Sequence, residues 1–492
     1  MSAAPQRRGS WAKRAWHERL RPTRAVSGVQ RVPDTAVTEV DAHDWLGGEG
    51  RDPLVSAELR AEAFVRANRG LLREFAIDSD VRRAAGRPVV RLATSARAGA
   101  LPLMSPVSGR PDLGLVIEPR FRWSSIGEVL AGTGMRITPE LLPLPELPKS
   151  ERRVPPWVLS SIVLRRIESL LDRLNRRFVL HSADLRAPRG QVDWNSYARL
   201  RVPVGKATEV PCTFPDLRDD LFLKSAVHHV LRVHREALLG QRSSGVVVRE
   251  LLALCDTLLV RVAGCVPRAP TGRLLDQWHR TPISSRVFRE GLQAIEWTVD
   301  ERGLAGVSEL SGLSWRLDLQ VFFETWVETI ANHLARSIGG RVRSGRQEQT
   351  RIPISWTPSW TGSQKSLLPD VVLQHDGLTV VFDAKYKAHA EELNIGGWRR
   401  ADDILREHHR ADLLQVLAYA GLFDSARVVA CLVYPCRPET WESLRQRGRL
   451  VIRARVPAGD RQVELALAAV PMAFSAAAAA TELGELIRAP LA

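Results

Sequence analysis

The chain has 492 residues, of which 45% are hydrophobic, and it carries 70 Lys and Arg against 55 Asp and Glu, a net charge of +15. This length predicts two or three domains, and no apolar run reaches the roughly eighteen residues of a membrane span. The basic excess favours a polyanionic partner, nucleic acid by default, although an Arg-rich composition also raises the pI without any binding role.

The cysteines show neither the spacing of a zinc site nor the even number of a disulfide set. They are Cys212, Cys255, Cys265, Cys431 and Cys436. We therefore expect reduced thiols, a cytoplasmic location and no association with a membrane.

The first 150 residues read as an arm followed by a β-rich domain. Residues 1–30 are Arg-rich and nearly free of acids, which predicts a flexible basic arm, with a transit peptide as the other interpretation. Residues 31–150 are predicted to be β-rich, because the short apolar runs Leu101 to Met104 and Leu113 to Ile117 are separated by turn residues. A short helix is predicted from Trp123 to Leu130. A proline-rich linker is predicted from Leu141 to Pro148.

Residues 151–300 are predicted to form a helical middle region. Apolar residues recur at helical spacing in three stretches. The stretches are Val158 to Leu174, Leu221 to Leu239 and Val246 to Val260.

Residues 301–492 are predicted to form the last domain, a mixed sheet flanked by helices, so the fold class is α/β (α+β). A long helix is predicted first, then a hairpin, a second helix and three further strands, with an Ala-rich helix at the end. In chain order, apart from the hairpin, these are Leu317 to Ser337, Asp412 to Leu422, Val428 to Tyr434, Leu450 to Val456, Gln462 to Val470 and Met472 to Ile487.

The hairpin carries charge in an unusual place. Two apolar runs, Val371 to Leu373 and Leu378 to Phe382, flank an Asp-Gly turn, which is a strong hairpin signal. Asp370 opens the first strand, and Asp383 and Lys385 end the second on one face, because strand side chains alternate. A carboxylate on so apolar a strand is costly unless it is paired or binds a metal.

A plain ion pair is the simpler interpretation of any single Asp-x-Lys. The lysine itself argues for more, because only seven of the 70 basic residues are Lys. A Lys in an Arg-rich chain indicates that a compact amine is needed, one whose pKa can shift.

These residues predict a Mg²⁺ site, with Mn²⁺ as a possible substitute, suited to phosphodiester hydrolysis. Asp370 and Asp383 are the predicted direct ligands, with the Ala384 carbonyl as a third. Lys385 would orient or deprotonate water or stabilise developing charge. Glu324, on the preceding helix, would reach the metal directly or through water, or is simply a surface residue.

Two further groups are candidates for substrate contact. Gln415 and Tyr419 are four residues apart, on one helical face, and can hydrogen-bond a phosphate or the lysine. A basic patch just before that helix, together with Lys387, suits backbone phosphates, although a solvated face explains the patch equally well. These residues are Lys387, Arg406, His408, His409 and Arg410. The chain has no phosphate-binding loop of the G-x-x-x-x-G-K-[ST] type.

Together, Pro369-Asp370, Asp383-Ala384-Lys385 and the Gln415/Tyr419 pair resemble the PD-(D/E)xK nuclease superfamily, in its RecB-like form. The resemblance extends to McrC, the cleavage subunit of McrBC-type modification-dependent restriction systems, over roughly residues 95–490. The stretches that carry it are Gly114 to Arg120, Arg189 to Trp194, Leu221 to Lys224, Phe322 to Glu324, Asp383 to Tyr386, Leu413 to Ala420 and Leu432 to Pro435.

The resemblance implies an N-terminal domain that docks in and stimulates a hexameric AAA+ GTPase, McrB, and a C-terminal domain that cuts double-stranded DNA with Mg²⁺. The partner of this chain would be a GTPase of that type or an ATPase. Arg120 and Asp220 depart from the family's Lys and Asn, and neither is expected to touch the active site. The alternatives are an inactive adaptor that activates the NTPase and a nuclease that acts on RNA or branched DNA.

Overall fold

The protein is described from a computed structural model. It describes residues 28–47, 53–121, 123–134, 136–137, 139–142, 144, 157–173, 177–218, 220–242, 245–280, 285–299, 314–387, 403–458, 461–472 and 476–488. Most of the predicted basic arm and of the predicted linker lies outside these residues. In the part of the chain that is described, no helix is long and apolar enough to cross a membrane.

The predicted α/β (α+β) class is confirmed: helices and several mixed sheets build two compact units. The first unit comprises Met1–Val158, Arg242–Glu250 and Ser308–Ala492. The second comprises Leu159–Gln241 and Leu251–Val307. The finer division into an N-terminal, a middle and a nuclease domain stays a prediction.

The N-terminal half of the first unit contains two sheets. Its elements are β1 (Val29–Pro33), β2 (Val37–Asp41), α1 (Ala42–Leu46), α2 (Pro53–Glu74), β3 (Asp78–Ala84), β4 (Arg87–Ala93), β5 (Arg97–Leu103), β6 (Leu113–Glu118), α3 (Trp123–Gly132) and β7 (Glu140–Leu141). One sheet has the order β2-β4-β3. The other has the order β1-β6-β5-β11-β7, where β11 (Trp315–Asp318) comes from the C-terminal part of the chain.

Helix α2 lies in the region predicted to be β-rich and was not itself predicted from the sequence. Ala57, Ala61, Phe64 and Leu72 on it are fully buried, at spacings of four, three and eight residues. These spacings place them along one helical face, which packs into the core around Trp45. The stripe is built largely of alanine, so its hydrophobic signal is weak.

The second unit is mainly helical, as the apolar spacing predicts. It contains α6 (Leu221–Leu239), α8 (Gly272–His279) and α9 (Arg286–Val299), together with α4 (Trp157–Asp172) from Leu159 on and α7 (Val246–Val262) from Leu251 on. It also holds an antiparallel sheet of β8 (Arg177–Leu185), β10 (Val210–Arg218) and β9 (Gln191–Val192), with α5 (Trp194–Ser196) and a π-helical turn (Tyr197–Arg201) between β9 and β10. Asp220, one of the departures from the family pattern, caps α6 by accepting a hydrogen bond from the Leu223 N–H at 3.0 Å.

The C-terminal part contains the sheet that positions the predicted site. Its elements are α10 (Leu319–Ile338), β12 (Arg341–Ser344), a 3₁₀ turn (Gly345–Gln347), β13 (Ile352–Pro353), β14 (Ser366–Leu367), β15 (Val371–His375), β16 (Leu378–Ala384), α11 (Asp403–Ala420), β17 (Arg427–Cys436), α12 (Pro438–Gln446), β18 (Val451–Ala458), β19 (Arg461–Pro471), α13 (Ala476–Leu483) and a 3₁₀ turn (Gly484–Leu486). The sheet order is β12-β15-β16-β17-β19-β18, mixed because β16, β17 and β19 are parallel and the other pairs antiparallel.

The predicted hairpin is confirmed as β15 and β16. At its turn Asp376 has φ 40° and Gly377 has φ 75°, the left-handed pair that a tight two-residue hairpin needs. All of β16 is buried, because β17 pairs with it in parallel and helices pack on it. Helix α11 packs through Val416 and Ala420 on the face that carries Ala430 and Leu432.

Two predicted boundaries are wrong. The long helix begins at Leu319 rather than Leu317, because residues 315–318 extend the N-terminal sheet through β11. Helix α11 begins at Asp403 rather than Asp412, so the basic residues predicted to precede it lie on it.

Candidate active site

The hairpin register brings the two predicted acidic ligands opposite each other. Val371 pairs with Phe382 in the antiparallel β15–β16 ladder. The next pair in the same register is Asp370 and Asp383. Directly opposite residues of an antiparallel pair project to the same face with Cβ atoms about 4.5–5.5 Å apart. The strand pairing itself therefore places two carboxylates side by side.

Asp383 is fully buried, and only one of its oxygens has a close partner. Lys385 Nζ lies 2.8 Å from Asp383 Oδ2. The lysine contact is an ion pair, and among the described residues no group has hydrogen-bond geometry to either oxygen of Asp383. Burial raises the pKa of Asp383, and the nearby lysines only partly offset this. Burial works against the charge of Lys385, but the Asp383 carboxylate more than compensates and raises the pKa of the lysine.

The same lysine is held from helix α11 by the predicted glutamine. Lys385 Nζ donates to Gln415 Oε1 at 3.0 Å. Gln415 Nε2 in turn donates to the Tyr419 hydroxyl at 3.1 Å. The spacing of four residues on one helix sets up this chain of hydrogen bonds. It fixes the amine in line with the Asp383 carboxylate.

The side chain of Asp370 is hydrogen-bonded to the backbone at the end of β16. Its Oδ2 accepts a hydrogen bond from the Ala384 N–H at 2.8 Å. Burial, followed by repulsion from Asp383 and Glu324, raises the pKa of Asp370 to about 8. A cation at this position would relieve that repulsion.

Glu324 lies on α10 near the other acids, and Gln320, which sequence reasoning missed, links it to the strand. Gln320 Nε2 lies 3.1 Å from Glu324 Oε1 and 3.0 Å from the Ala384 carbonyl oxygen, and donates to both. Burial raises the pKa of Glu324. Gln320 stands four residues before Glu324 on the same helical face, and that spacing was the available signal.

The residues present fit Mg²⁺, which prefers carboxylate oxygens and keeps several waters. Asp383 Oδ1 is an unpaired, buried acceptor, and three nearby carboxyls share raised pKa values. Among the described residues no three Asp, Glu, His or Cys side chains form a complete metal cage. Mg²⁺ commonly uses one or two carboxylates plus substrate phosphates, so an incomplete set of protein ligands suffices here. The Ala384 carbonyl, which already accepts from Gln320, keeps a second lone pair.

Lys387 and His409, predicted to contact nucleic acid, belong instead to a buried network. Lys387 Nζ lies 2.7 Å from both oxygens of Asp412. The Tyr434 hydroxyl donates to Asp412 at 3.3 Å, and His409 Nδ1 lies 3.1 Å from that hydroxyl. His409 is 5% exposed, so its prediction as part of an exposed patch is wrong. The side chain of Lys387 is 32% exposed, and its predicted phosphate contact stays a prediction.

The remaining members of the predicted basic patch lie on the outer side of α11. Arg410 and His408 are exposed. Arg406 is partly exposed, and its Nη1 lies 3.4 Å from Asp403 Oδ1. Their contact with DNA stays a prediction.

Two residues from the N-terminal part of the chain, Asp34 and Arg120, stabilise the backbone just beyond the end of β16. Arg120 Nη2 donates to the Tyr386 carbonyl at 2.8 Å, and its guanidinium lies 4.4 Å from the centre of the Tyr386 ring. Asp34, 2% exposed, accepts from the Arg120 N–H at 2.9 Å. Burial raises the pKa of Asp34, which Arg120 partly offsets. Arg120 was expected not to touch the site, yet it contacts the residue next to Lys385.

Comparison with known proteins yields likeness only to solved structures, since no protein-family model and no curated protein matches the chain. One similar chain belongs to a refined half-complex from a tetradecameric assembly of Thermococcus gammatolerans McrB AAA+ hexamers with bound McrC. It is 14% identical at a TM-score of 0.40, over 93% of this chain and 100% of that chain. Another belongs to the Thermococcus gammatolerans McrBC complex, 12% identical at a TM-score of 0.26, over 62% of this chain and 88% of that chain. At these scores the two likenesses carry no argument about activity.

Proposed function

We propose that this chain is the Mg²⁺-dependent DNA endonuclease subunit of an McrBC-like restriction or anti-phage defence system. The observation that carries the proposal is the buried Asp383 carboxylate, with one oxygen unpaired, beside Lys385 and opposite Asp370. A fold keeps so costly an arrangement when a ligand completes it. Of the motif residues, Asp370, Asp383, Lys385 and Gln415 lie together at this point.

Each residue has a role in phosphodiester hydrolysis. Asp370 and Asp383 would hold Mg²⁺, with the Ala384 carbonyl and Glu324 completing the set. When bound, Mg²⁺ supplies positive charge to the phosphate and acidifies water.

Lys385, held by Gln415, orients the attacking water or stabilises the charge that develops on the phosphate. Tyr419 holds the glutamine in place.

The proposed partners are double-stranded DNA and a separate AAA+ NTPase. The charge of +15 suits the DNA, and the missing phosphate-binding loop fits a subunit whose motor is another polypeptide. McrC is described as bound to McrB AAA+ hexamers in the solved assemblies of Thermococcus gammatolerans. We extend that arrangement to this chain.

The test is cleavage of methylated duplex DNA by the purified complex with its AAA+ partner, with Mg²⁺ and nucleotide. Asp383→Ala and Lys385→Ala should each lower the cleavage rate at least about 100-fold, because each removes charge stabilisation of the transition state. Both should still co-purify with the partner. Lys206→Ala, at an exposed lysine of the second unit, is the matched control and should cut like wild type.

Undiminished cleavage by both variants would show that the assigned site is wrong. A wild-type complex that hydrolyses nucleotide but cuts no nucleic acid would indicate the adaptor instead. Preference for RNA or branched DNA over methylated duplex would indicate the repair nuclease.

A further inference from the structure

An exposed ribbon precedes the catalytic hairpin in the chain. Residues 351–367, here called the tryptophan arm, run out through β13 and return through β14, which pair antiparallel. The Ile354 N–H donates to the Lys365 carbonyl at 2.8 Å and extends the ribbon toward its tip. Every residue from 355 to 365 is exposed.

The base of the tryptophan arm is fastened to the backbone at Asp370. Thr350 Oγ1 donates to the Pro369 carbonyl at 2.6 Å, and the Gly345 N–H donates to the Asp370 carbonyl at 2.8 Å. A Cβ at Gly345 would lie 2.5 Å from the Pro369 oxygen, so only glycine permits this approach. Trp360 is ten residues from Asp370. Its backbone therefore lies within about 33–36 Å of the catalytic acid, roughly one turn of B-DNA.

Two tryptophans near the tip pack against each other: Trp356 is anchored to the ribbon by a hydrogen bond, and Trp360 is the more exposed ring. Trp356 and Trp360 are 40% and 56% exposed, with ring centres 5.6 Å apart and planes at 88°. The Trp356 indole N–H donates to the Gln364 carbonyl at 2.9 Å, which anchors that ring to the ribbon. The Gly362 backbone lies against Trp360, since a Cβ there would be 2.6 Å from the ring. Trp360 is thereby held in place with much of its surface exposed.

The charge of the tryptophan arm selects the kind of partner. Lys365 is exposed and residues 351–367 contain no Asp or Glu, whereas the exposed Arg351 lies 3.4 Å from the Glu348 carboxylate just before the arm. Exposed aromatic rings on a segment that carries a lysine and no acid suit bases and phosphates of nucleic acid. Contiguous exposed apolar surface, such as two tryptophan rings in contact, generally marks an interaction surface.

We propose that the tryptophan arm binds the DNA substrate beside the cleavage site, with Trp360 stacking on a base at an opened step and Lys365 contacting a backbone phosphate. This rests on the proposed nuclease function and adds a substrate contact to it. An aromatic side chain that enters a base step bends the duplex, and a bend would bring the adjacent backbone toward Asp370 and Asp383.

The test is binding of a fluorescein-labelled methylated duplex to the full chain by fluorescence anisotropy, in Mg²⁺-free buffer with EDTA so that no cleavage occurs. Trp360→Ala should weaken affinity about tenfold, and Trp360→Phe should restore most of it. The ring is uncharged, so Trp360→Ala should leave the salt dependence of binding unchanged. Lys365→Ala should instead lower the salt slope by about one.

Trp194→Ala, at an exposed tryptophan of the second unit, is the matched control and should bind like wild type. Wild-type affinity of Trp360→Ala, or equal weakening by the Phe and Ala variants, would overturn the inference. Loss of the AAA+ partner with DNA binding intact would also overturn it, in favour of a protein-docking role. The two proposals fail separately: continued cleavage by Lys385→Ala would refute only the catalytic assignment, and wild-type duplex affinity of Trp360→Ala would refute only the role of the tryptophan arm.

Discussion

Two lysine–aspartate pairs flank Tyr386 at the end of β16, and they differ in how well the carboxylate is satisfied. Asp383 is fully buried, pairs through one oxygen with Lys385, and leaves the other oxygen without a donor among the described residues. Asp412 is also buried, but Lys387 contacts both of its oxygens and a tyrosine hydroxyl adds a third bond.

The comparison shows how the same two residue types serve different ends. A satisfied buried pair holds helix α11 against the strand. A buried carboxylate with an unpaired oxygen costs free energy that the fold does not recover without a ligand. The neighbouring Asp370 increases that cost by repulsion. We therefore assign the first pair to cation binding and the second to structure.

Replacing each aspartate by asparagine should affect the free energy of unfolding differently when no metal is present. Asp412→Asn should lower the free energy of unfolding by about 1.5–3 kcal/mol, because it weakens charged hydrogen bonds to a partly buried lysine. Asp383→Asn should leave it equal to or above wild type, because it removes a charge that burial disfavours while Lys385 keeps Gln415. Urea unfolding of both variants in EDTA measures the difference. The opposite order would mean that Asp383 is the structural pair.

A second effect concerns pH. The raised pKa of Asp370, about 8, means that the native state holds this proton more tightly than the unfolded chain, where an Asp titrates near 3.9. The stability it contributes is complete below pH about 4 and is lost as pH rises toward 8. The unfolding midpoint of the metal-free wild type should therefore fall across this range, and that of Asp370→Asn should fall less. Identical profiles would show that the negative charge of Asp370 does not destabilise the native state.

Local sequence rules predict strand β16 and its charged end well because the determinants of that structure are local. Asp-Gly specifies the hairpin turn, and period-two alternation puts Asp383 and Lys385 on one face. A spacing of four on a helix likewise aligns Gln415 with Tyr419. The geometry agrees with each of these placements, while the chemical roles stay proposals.

Contacts between distant parts of the chain account for what the sequence does not predict. Arg120 and Tyr386 are 266 residues apart, and no sequence pattern around either residue predicts the other as its contact. From the sequence Lys387 is expected to be an unpaired cation, whereas in the fold it contacts Asp412. Helix α11 extends to Asp403 through a mostly polar stretch, in which the apolar Ile404 and Leu405 are adjacent and form no stripe at helical spacing.

The most direct test of the central assignment is calorimetric titration of Mn²⁺ into the full chain, wild type against Asp383→Asn and Asp412→Asn. Mn²⁺ reports on the same oxygen-ligand site as Mg²⁺. Wild type and Asp412→Asn should bind the ion with similar affinity, and Asp383→Asn should lose that binding. Equal binding by Asp383→Asn, or its loss only in Asp412→Asn, would contradict the assignment of the unsatisfied pair to the metal.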